Sequence, residues 1–165
     1  MIRTALLTVS DRTSSGERED RSVQGVRELL AKGPFVEVDY LVVPDEQAMI
    51  RSKLRLLSDV DGVDLVLTTG GTGLGPRDRT PEATLDVIER LVPGLAERMR
   101  SVGAQHDPKA SLSRAVVGIR RATLVVNLPG DGDGAVHALG AVIDVLPHAL
   151  AAMRSQGTAA APAER

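Results

Sequence analysis

From Arg3 to Val9 the chain is a run of apolar and β-forming residues. This is the pattern of a strand buried on both faces, and it stops at the polar turn Ser10-Asp11-Arg12-Thr13-Ser14-Ser15-Gly16. Between Asp20 and Lys32 the apolar residues Val23, Val26, Leu29 and Leu30 recur at helical spacing until Gly33-Pro34 ends them. Val36, Val38, Tyr40 and Val42 then alternate with Glu37, Asp39 and Leu41, which predicts a strand with one wetter face, as at a sheet edge. After Pro44, Asp45 reads as the N-cap of a helix reaching about Ser58, with Ile50, Leu54 and Leu57 turned inward.

The second half begins with Val63 to Leu67, nearly all apolar, the mark of a central parallel strand covered on both sides. It runs directly into a glycine-rich loop. Thr80-Pro81-Glu82 predicts a helix start, with Thr80 as cap and Pro81 at the first helical position. Pro93-Gly94 is expected to break that helix, and Leu95 to Val102 to continue it. Residues 103–113 read as loop, Ala115–Ile119 and Ala122–Leu128 as strands, and Ala135–Met153 as a last helix interrupted by Pro147. Strands alternating with helices predict a layered α/β fold with a mostly parallel sheet.

Composition narrows this picture. The 165 residues suit one domain over 1–155, and 156–165, low in complexity and without large apolar groups, are expected to form a disordered tail. Aromatics make up only 1 % of a chain that is 42 % hydrophobic, so the core must be aliphatic. A formal charge of −2, with no basic block beside stacking aromatics, argues against a nucleic-acid groove. With no cysteine, thiolate chemistry, disulfides and Cys-held metals are excluded. Ala5-Leu6-Leu7 is too short for a signal core or a membrane span, and the expected location is the cytoplasm.

In an open α/β sheet, ligands bind beyond the carboxyl ends of the strands, here the loops starting at Ser10, Pro44, Thr68 and Asn127. Gly70, Gly71, Gly73 and Gly75 in one loop and Gly130, Gly132 and Gly134 in another let backbone amides approach an anion. Asp11, Asp45 and Asp78 each follow a different strand, so amide nests and carboxylates together suggest phosphate with a hard cation. The loop is neither a Walker motif nor a dinucleotide fingerprint, no Gly-x-Ser-x-Gly elbow occurs, and His106, His137 and His148 lack metal-ligand spacing. Each carboxylate also has a plainer reading. Asp45 could be only a cap, Asp78 an ion pair with its arginine neighbours, and Asp11 an acceptor for its own turn.

Thr68-Thr69-Gly70-Gly71-Thr72-Gly73, then Arg77-Asp78 and Thr80-Pro81-Glu82-Ala83-Thr84, resembles the signature of molybdopterin-binding domains, the MogA/MoaB family of molybdenum cofactor biosynthesis. Val9-Ser10-Asp11-Arg12, Pro44-Asp45-Glu46-Gln47-Ala48, Leu112-Ser113-Arg114 and Asn127-Leu128-Pro129-Gly130 match in order, so the resemblance covers nearly all of residues 3–150. It implies a three-layer α/β/α fold and a Mg²⁺-dependent adenylyl transfer from ATP to molybdopterin with release of pyrophosphate. It further implies a homotrimer, which could meet other proteins of cofactor biosynthesis. By the same resemblance Asp45 and Asp78 are the catalytic carboxylates and Mg²⁺ ligands. Ser10, Asp11, Gly70, Gly71, Thr72, Gly73, Pro129 and Gly130 would contact nucleotide or pterin.

The chain departs from many of these relatives after Gly130, where they carry Ser or Gln followed by Pro-Lys and this chain has Asp131-Gly132-Asp133-Gly134. Two acids beside an anionic ligand repel it unless a cation or water intervenes. Two other roles share the same residues: a paralogue that binds pterin without turnover, and a trimeric scaffold.

Overall fold

The computed structural model describes residues 1–17 and 19–155, so the tail expected at 156–165 lies outside the described residues. The strands are β1 (Ile2–Val9), β2 (Phe35–Val43), β3 (Leu65–Thr69), β4 (Arg90–Leu91), β5 (Val117–Arg120) and β6 (Thr123–Leu128). They form one sheet in the order β2-β1-β3-β6-β5-β4. The first four run parallel, while β5 lies antiparallel to both β6 and β4. β2 occupies the edge that its alternating pattern predicts, and β1 and β3, the near-continuous apolar runs, are central.

The helices are α1 (Asp11–Ser14), α2 (Gln24–Leu30), α3 (Gln47–Arg55), α4 (Thr80–Leu85), α5 (Pro93–His106), α6 (Gly132–Val142) and α7 (Leu146–Ser155). They cover both faces of the sheet. Leu6, Leu65, Leu67 and Val126 pack with Val26, Met99, Leu139 and Leu150 of α2, α5, α6 and α7 on one face. On the other face Ala5, Leu7, Val66 and Val125 pack with Ile50, Leu54 and Ala83 of α3 and α4. Alternate residues of each strand thus feed two separate aliphatic cores, giving the three-layer α/β/α arrangement.

Several boundaries differ from the sequence pattern, each for an identifiable reason. The helix expected from Asp20 begins only at Gln24, because the Asp20 carboxylate is taken by Thr8, Ser22 and Tyr40. Pro93-Gly94 opens α5 rather than breaking a helix, since proline is tolerated in a first turn. The preceding helix has already ended at Leu85, and the two-residue strand β4 intervenes. Residues 103–113, expected as loop, finish α5 and then form a 3₁₀ turn over Pro108–Leu112. The last helix is divided before Leu146 and not at Pro147, which sits in the first turn of α7. Among the described residues no single helix is long and apolar enough to cross a membrane.

Because β1, β2, β3 and β6 are parallel, their carboxyl ends share one edge. The chain leaves β1 for β2 on one side and takes up β3 on the other, so the loops after β1 and β3 part there and leave a crevice.

Candidate active site

Beyond β1, Ser10 caps α1 by accepting a hydrogen bond from the Thr13 N–H at 3.2 Å. Beyond β2, Asp45 is not the cap of α3: that position is Glu46, which makes no side-chain cap bond. The Asp45 carboxylate instead accepts the Asp11 N–H at Oδ2, 3.0 Å away, and the Asp45 N–H donates to Asp11 Oδ1 at 3.0 Å. Arg77 then grips Asp11 through Nε (2.7 Å) and Nη2 (2.9 Å). Asp11 therefore serves neither its own turn nor an open cleft wall, but ties three loops together.

These contacts separate the two carboxylates electrostatically. The hydrogen bond from Arg77, helped by the Asp45 N–H, holds Asp11 below the usual carboxylate range. Asp45 is pushed above it, chiefly by burial and further by the negative charges of Asp11 and Asp78, against the opposing hydrogen bond from Asp11. Asp78 does not pair with Arg77 or Arg79 as the plain reading had it; its Oδ2 accepts the Gly75 N–H at 2.9 Å. One oxygen of Asp45 and one of Asp78 thus keep no partner within the described residues.

The glycine loop after β3 approaches its neighbours closely. Gly70 has φ +93°, and a Cβ there would stand 2.2 Å from the Val9 carbonyl oxygen, while the Gly70 N–H is already spent on Leu128 O at 3.1 Å. Gly70 therefore lets loops meet and does not itself offer an amide. Gly71, with φ +68°, would put a Cβ 2.2 Å from Thr80 Oγ1. Thr80 caps nothing; its hydroxyl donates to Gly70 O at 2.9 Å, pinning the loop to the start of α4. Within the described residues the N–H groups of Gly71, Thr72, Gly73 and Leu74 have no acceptor. Four successive amides are thus left to donate to a ligand, the donor set from which anion nests are built.

Two clefts open on this loop. The larger, about 890 Å³, lies between it, α5 and the start of α6, and includes Thr72, Gly73, Asn127 and Pro129. The smaller, about 470 Å³, lies over β1 and includes Ser10, Asp20, Asp45 and Gly70. Gly71, Asp78, Gly130 and Asp131 line both. Of the residues to which the resemblance gives a site role, Asp11 alone lines neither cleft.

Some contributors carried no clear sequence signal. Asp20 lines the smaller cleft with its carboxylate accepting from Thr8 Oγ1 (2.6 Å), from Ser22 N (2.9 Å) and Oγ (2.6 Å), and from the Tyr40 hydroxyl. Burial raises Asp20, yet these hydrogen bonds prevail and hold it low, while burial and the bond to Asp20 push the Tyr40 phenol up to about 12. His106 and His137 stack on each other, ring centroids 3.8 Å apart, in the larger cleft. Asp131, which the sequence marks only as an unfavourable acid, caps α6 through the Gly134 N–H at 3.0 Å. Asn127 is fully buried between Val116 N, Thr68 Oγ1 and Thr84 Oγ1, locking β6 to β3 and α4.

Residues 5–148 match the family model described as "Probable molybdopterin binding domain". The chain is 45 % identical over 132 residues to the molybdopterin adenylyltransferase of Escherichia coli K12, covering 78 % of this chain and 67 % of that protein. It is 40 % identical over 149 residues to the molybdopterin adenylyltransferase of Helicobacter pylori J99, with 89 % and 85 % covered. The crystal structure of the molybdopterin biosynthesis enzyme MoaB from Thermus thermophilus superposes with a TM-score of 0.90 at 54 % identity, over 94 % of this chain and 98 % of that one. With the family model spanning residues 5–148, this chain belongs to the molybdopterin-binding family of molybdenum cofactor biosynthesis proteins.

Proposed function

We propose that this chain is a molybdopterin adenylyltransferase: the terminal phosphate of molybdopterin attacks the α-phosphate of ATP, a new P–O–P bond forms, and pyrophosphate leaves. The observation that carries this reading is the run of four amides without an acceptor among the described residues, of which Gly71 lies where two clefts meet and Thr72, Gly73 and Leu74 line the larger one beside it. A transfer between two bulky substrates needs two adjoining clefts with the reacting phosphates at their boundary. The chemistry itself asks mainly for alignment and for neutralisation of charge.

The protein's part follows from its own residues. The amides of Thr72 and Gly73 bind phosphate oxygens in the larger cleft beside the boundary, and Asp78 faces both clefts. Ser10 and Asp45 line the nucleotide or pterin side in the smaller one, with Asp11 holding Asp45 in place. Pro129 and Gly130 shape the boundary from the opposite loop, Gly130 lying so close to Gly70 that a Cβ on it would stand 3.0 Å from Gly70 Cα.

Mg²⁺ fits these residues. Asp45 and Asp78 each keep a carboxylate oxygen without a partner, and among the described residues no three acidic or imidazole side chains converge to hold a metal alone. That donor set matches a cation that retains waters and takes its remaining ligands from substrate phosphates. Bound there, the ion would offset the acidity of Asp131 and neutralise charge on the transferred phosphate.

The reading carries with it residues 1–155 acting as one domain, a homotrimer, a cytoplasmic location and no membrane or nucleic-acid partner. It is tested by mixing the protein with molybdopterin, ATP and Mg²⁺ and following pyrophosphate. Stoichiometric or greater release is expected. Pterin binding with no release would sink the enzyme reading in favour of a binding paralogue.

A further inference from the structure

Arg114 touches the glycine loop at more points than any residue named above, yet it enters neither cleft. Its backbone N–H donates to Thr72 O at 2.9 Å. Its half-buried guanidinium donates from Nε to Gly73 O at 2.8 Å, from Nη2 to Asp78 O at 2.7 Å, and from Nη1 to Glu82 Oε1. One planar fork therefore holds both ends of the segment from Gly73 to Asp78 and fastens them to α4.

The consequence follows from peptide geometry. In a trans peptide the C=O and the next N–H point in opposite directions. With Thr72 O and Gly73 O drawn to Arg114, the N–H groups of Gly73 and Leu74 turn away from it, and these are two of the four amides that lack an acceptor. A glycine-rich loop left to itself can rotate those peptide units and point carbonyls into the clefts, where they would repel phosphate. The positive charge of Arg114 is a lesser factor, since the adjoining Glu82 carboxylate, held below its usual range by Arg114, neutralises it.

We infer that Arg114 is a positioning residue that fixes the peptide orientation of residues 72–74, and thereby creates the phosphate-binding nest. The inference rests on the phosphate-handling reading given above and assigns its anion recognition to geometry, not to guanidinium charge. Arg114→Lys separates the two, because lysine keeps the charge but cannot span three acceptors in one plane.

The test titrates inorganic pyrophosphate into the whole protein by calorimetry, with the amide resonances of Gly73 and Leu74 followed in parallel. Wild type is expected to bind with shifts at both amides. Arg114→Lys is expected to bind about tenfold more weakly or worse, as for lost hydrogen bonds to a charged group, with those two resonances displaced before any ligand is added. Arg114→Lys binding as well as wild type would overturn the inference and leave the phosphate reading standing. A wild type that binds no pyrophosphate would overturn both. Should Arg114→Lys fail to fold, Glu82→Gln decides: it unmasks the guanidinium charge while keeping an acceptor. Unchanged affinity supports positioning, and tighter binding overturns it in favour of charge.

Discussion

Asp11 and Asp45, 34 residues apart, hold each other through a reciprocal pair of hydrogen bonds in which each backbone N–H donates to the other's carboxylate at 3.0 Å. The pair joins the loops after β1 and β2 at the edge where ligands enter an open α/β sheet. The arrangement keeps two negative charges adjacent, and the cost falls unequally: Arg77 shields Asp11, while Asp45 is left half-buried and facing Asp78.

Asp45→Asn should therefore raise thermal stability at neutral pH and remove activity. A carboxyl group whose folded pKa is raised disfavours the folded state above that pKa, where it is charged both folded and unfolded. The penalty disappears below the unfolded value, where it is neutral in both states. The gain in melting temperature is thus expected at pH 7 and should vanish as the pH falls below the ordinary carboxylate range. Asparagine keeps an oxygen for the Asp11 N–H but turns an uncharged NH2 donor where the free carboxylate oxygen stood, so pyrophosphate release should fall by about a hundredfold or more. Paired melting curves at pH 7 and at pH 3 check the sign, and lower stability of the variant at pH 7 would contradict it.

Arg77→Ala should separate positioning from folding in the other direction. The ion pair with Asp11 is exposed, 61 % on the arginine side and 44 % on the aspartate side, so its loss should barely move the urea unfolding midpoint. Without Arg77, however, only the two mutual hydrogen bonds keep Asp11 against Asp45, and KM for ATP should rise. The rise should shrink in high salt, where wild type loses the same ion pair. An unchanged KM at low salt would show that the bracket between Asp11 and Asp45 needs no third member.

Asp131 can be relieved of its charge without losing its structural task. Its carboxylate caps α6, and serine is an equally good cap, so Asp131→Ser should shift the unfolding free energy by no more than about 0.5 kcal/mol. Because Asp131 lines both clefts, removing its charge should tighten pyrophosphate binding several-fold in the absence of Mg²⁺, and less in its presence. Calorimetry with and without the ion measures both. A weaker affinity in both conditions would mean that Asp131 itself takes part in holding the ligand.

Features set by local pattern were readable, and features set by long-range partners were not. The edge place of β2 and the central place of β3, with its solid apolar run, follow from the pattern, but β2 has no dry face: Val36 and Val38 are exposed beside Glu37 because an edge strand lacks a cover there. The readings of Asp45 and Thr80 as caps failed for one shared reason. A local rule places the side chain on its own helix, whereas each side chain is drawn across a loop, Asp45 to Asp11 and Thr80 to Gly70 O. β4 escaped notice because two residues show no periodicity, and their pairing is decided by Ile119 and Gly118 of β5. The role of Arg114 has no signal of its own, because most of its acceptors are main-chain carbonyls, which leave no mark in a sequence. At the site, the glycines and Asp78 could be found from spacing and resemblance. Which amides are free could not, since that depends on where every neighbouring carbonyl goes.

Two glycine-to-alanine exchanges should then have opposite effects. At Gly71, alanine must hold φ +68° and place its Cβ where Thr80 Oγ1 now stands, breaking the buried bond from Thr80 to Gly70 O. Left-handed backbone and a lost buried hydrogen bond together predict a destabilisation of about 2–4 kcal/mol. Activity should also fall, because displacing Thr80 shifts the loop that presents the amides. At Gly94, in the first turn of α5, an added Cβ meets nothing within 4 Å, and the exchange only restricts the unfolded chain. Gly94→Ala should stabilise the protein by about 0.5 kcal/mol with unaltered pyrophosphate release. Urea titrations of both variants against wild type give the comparison. Equal stability at Gly71→Ala would mean that the loop can reach an ordinary backbone conformation, and the nest would then be adaptable instead of fixed.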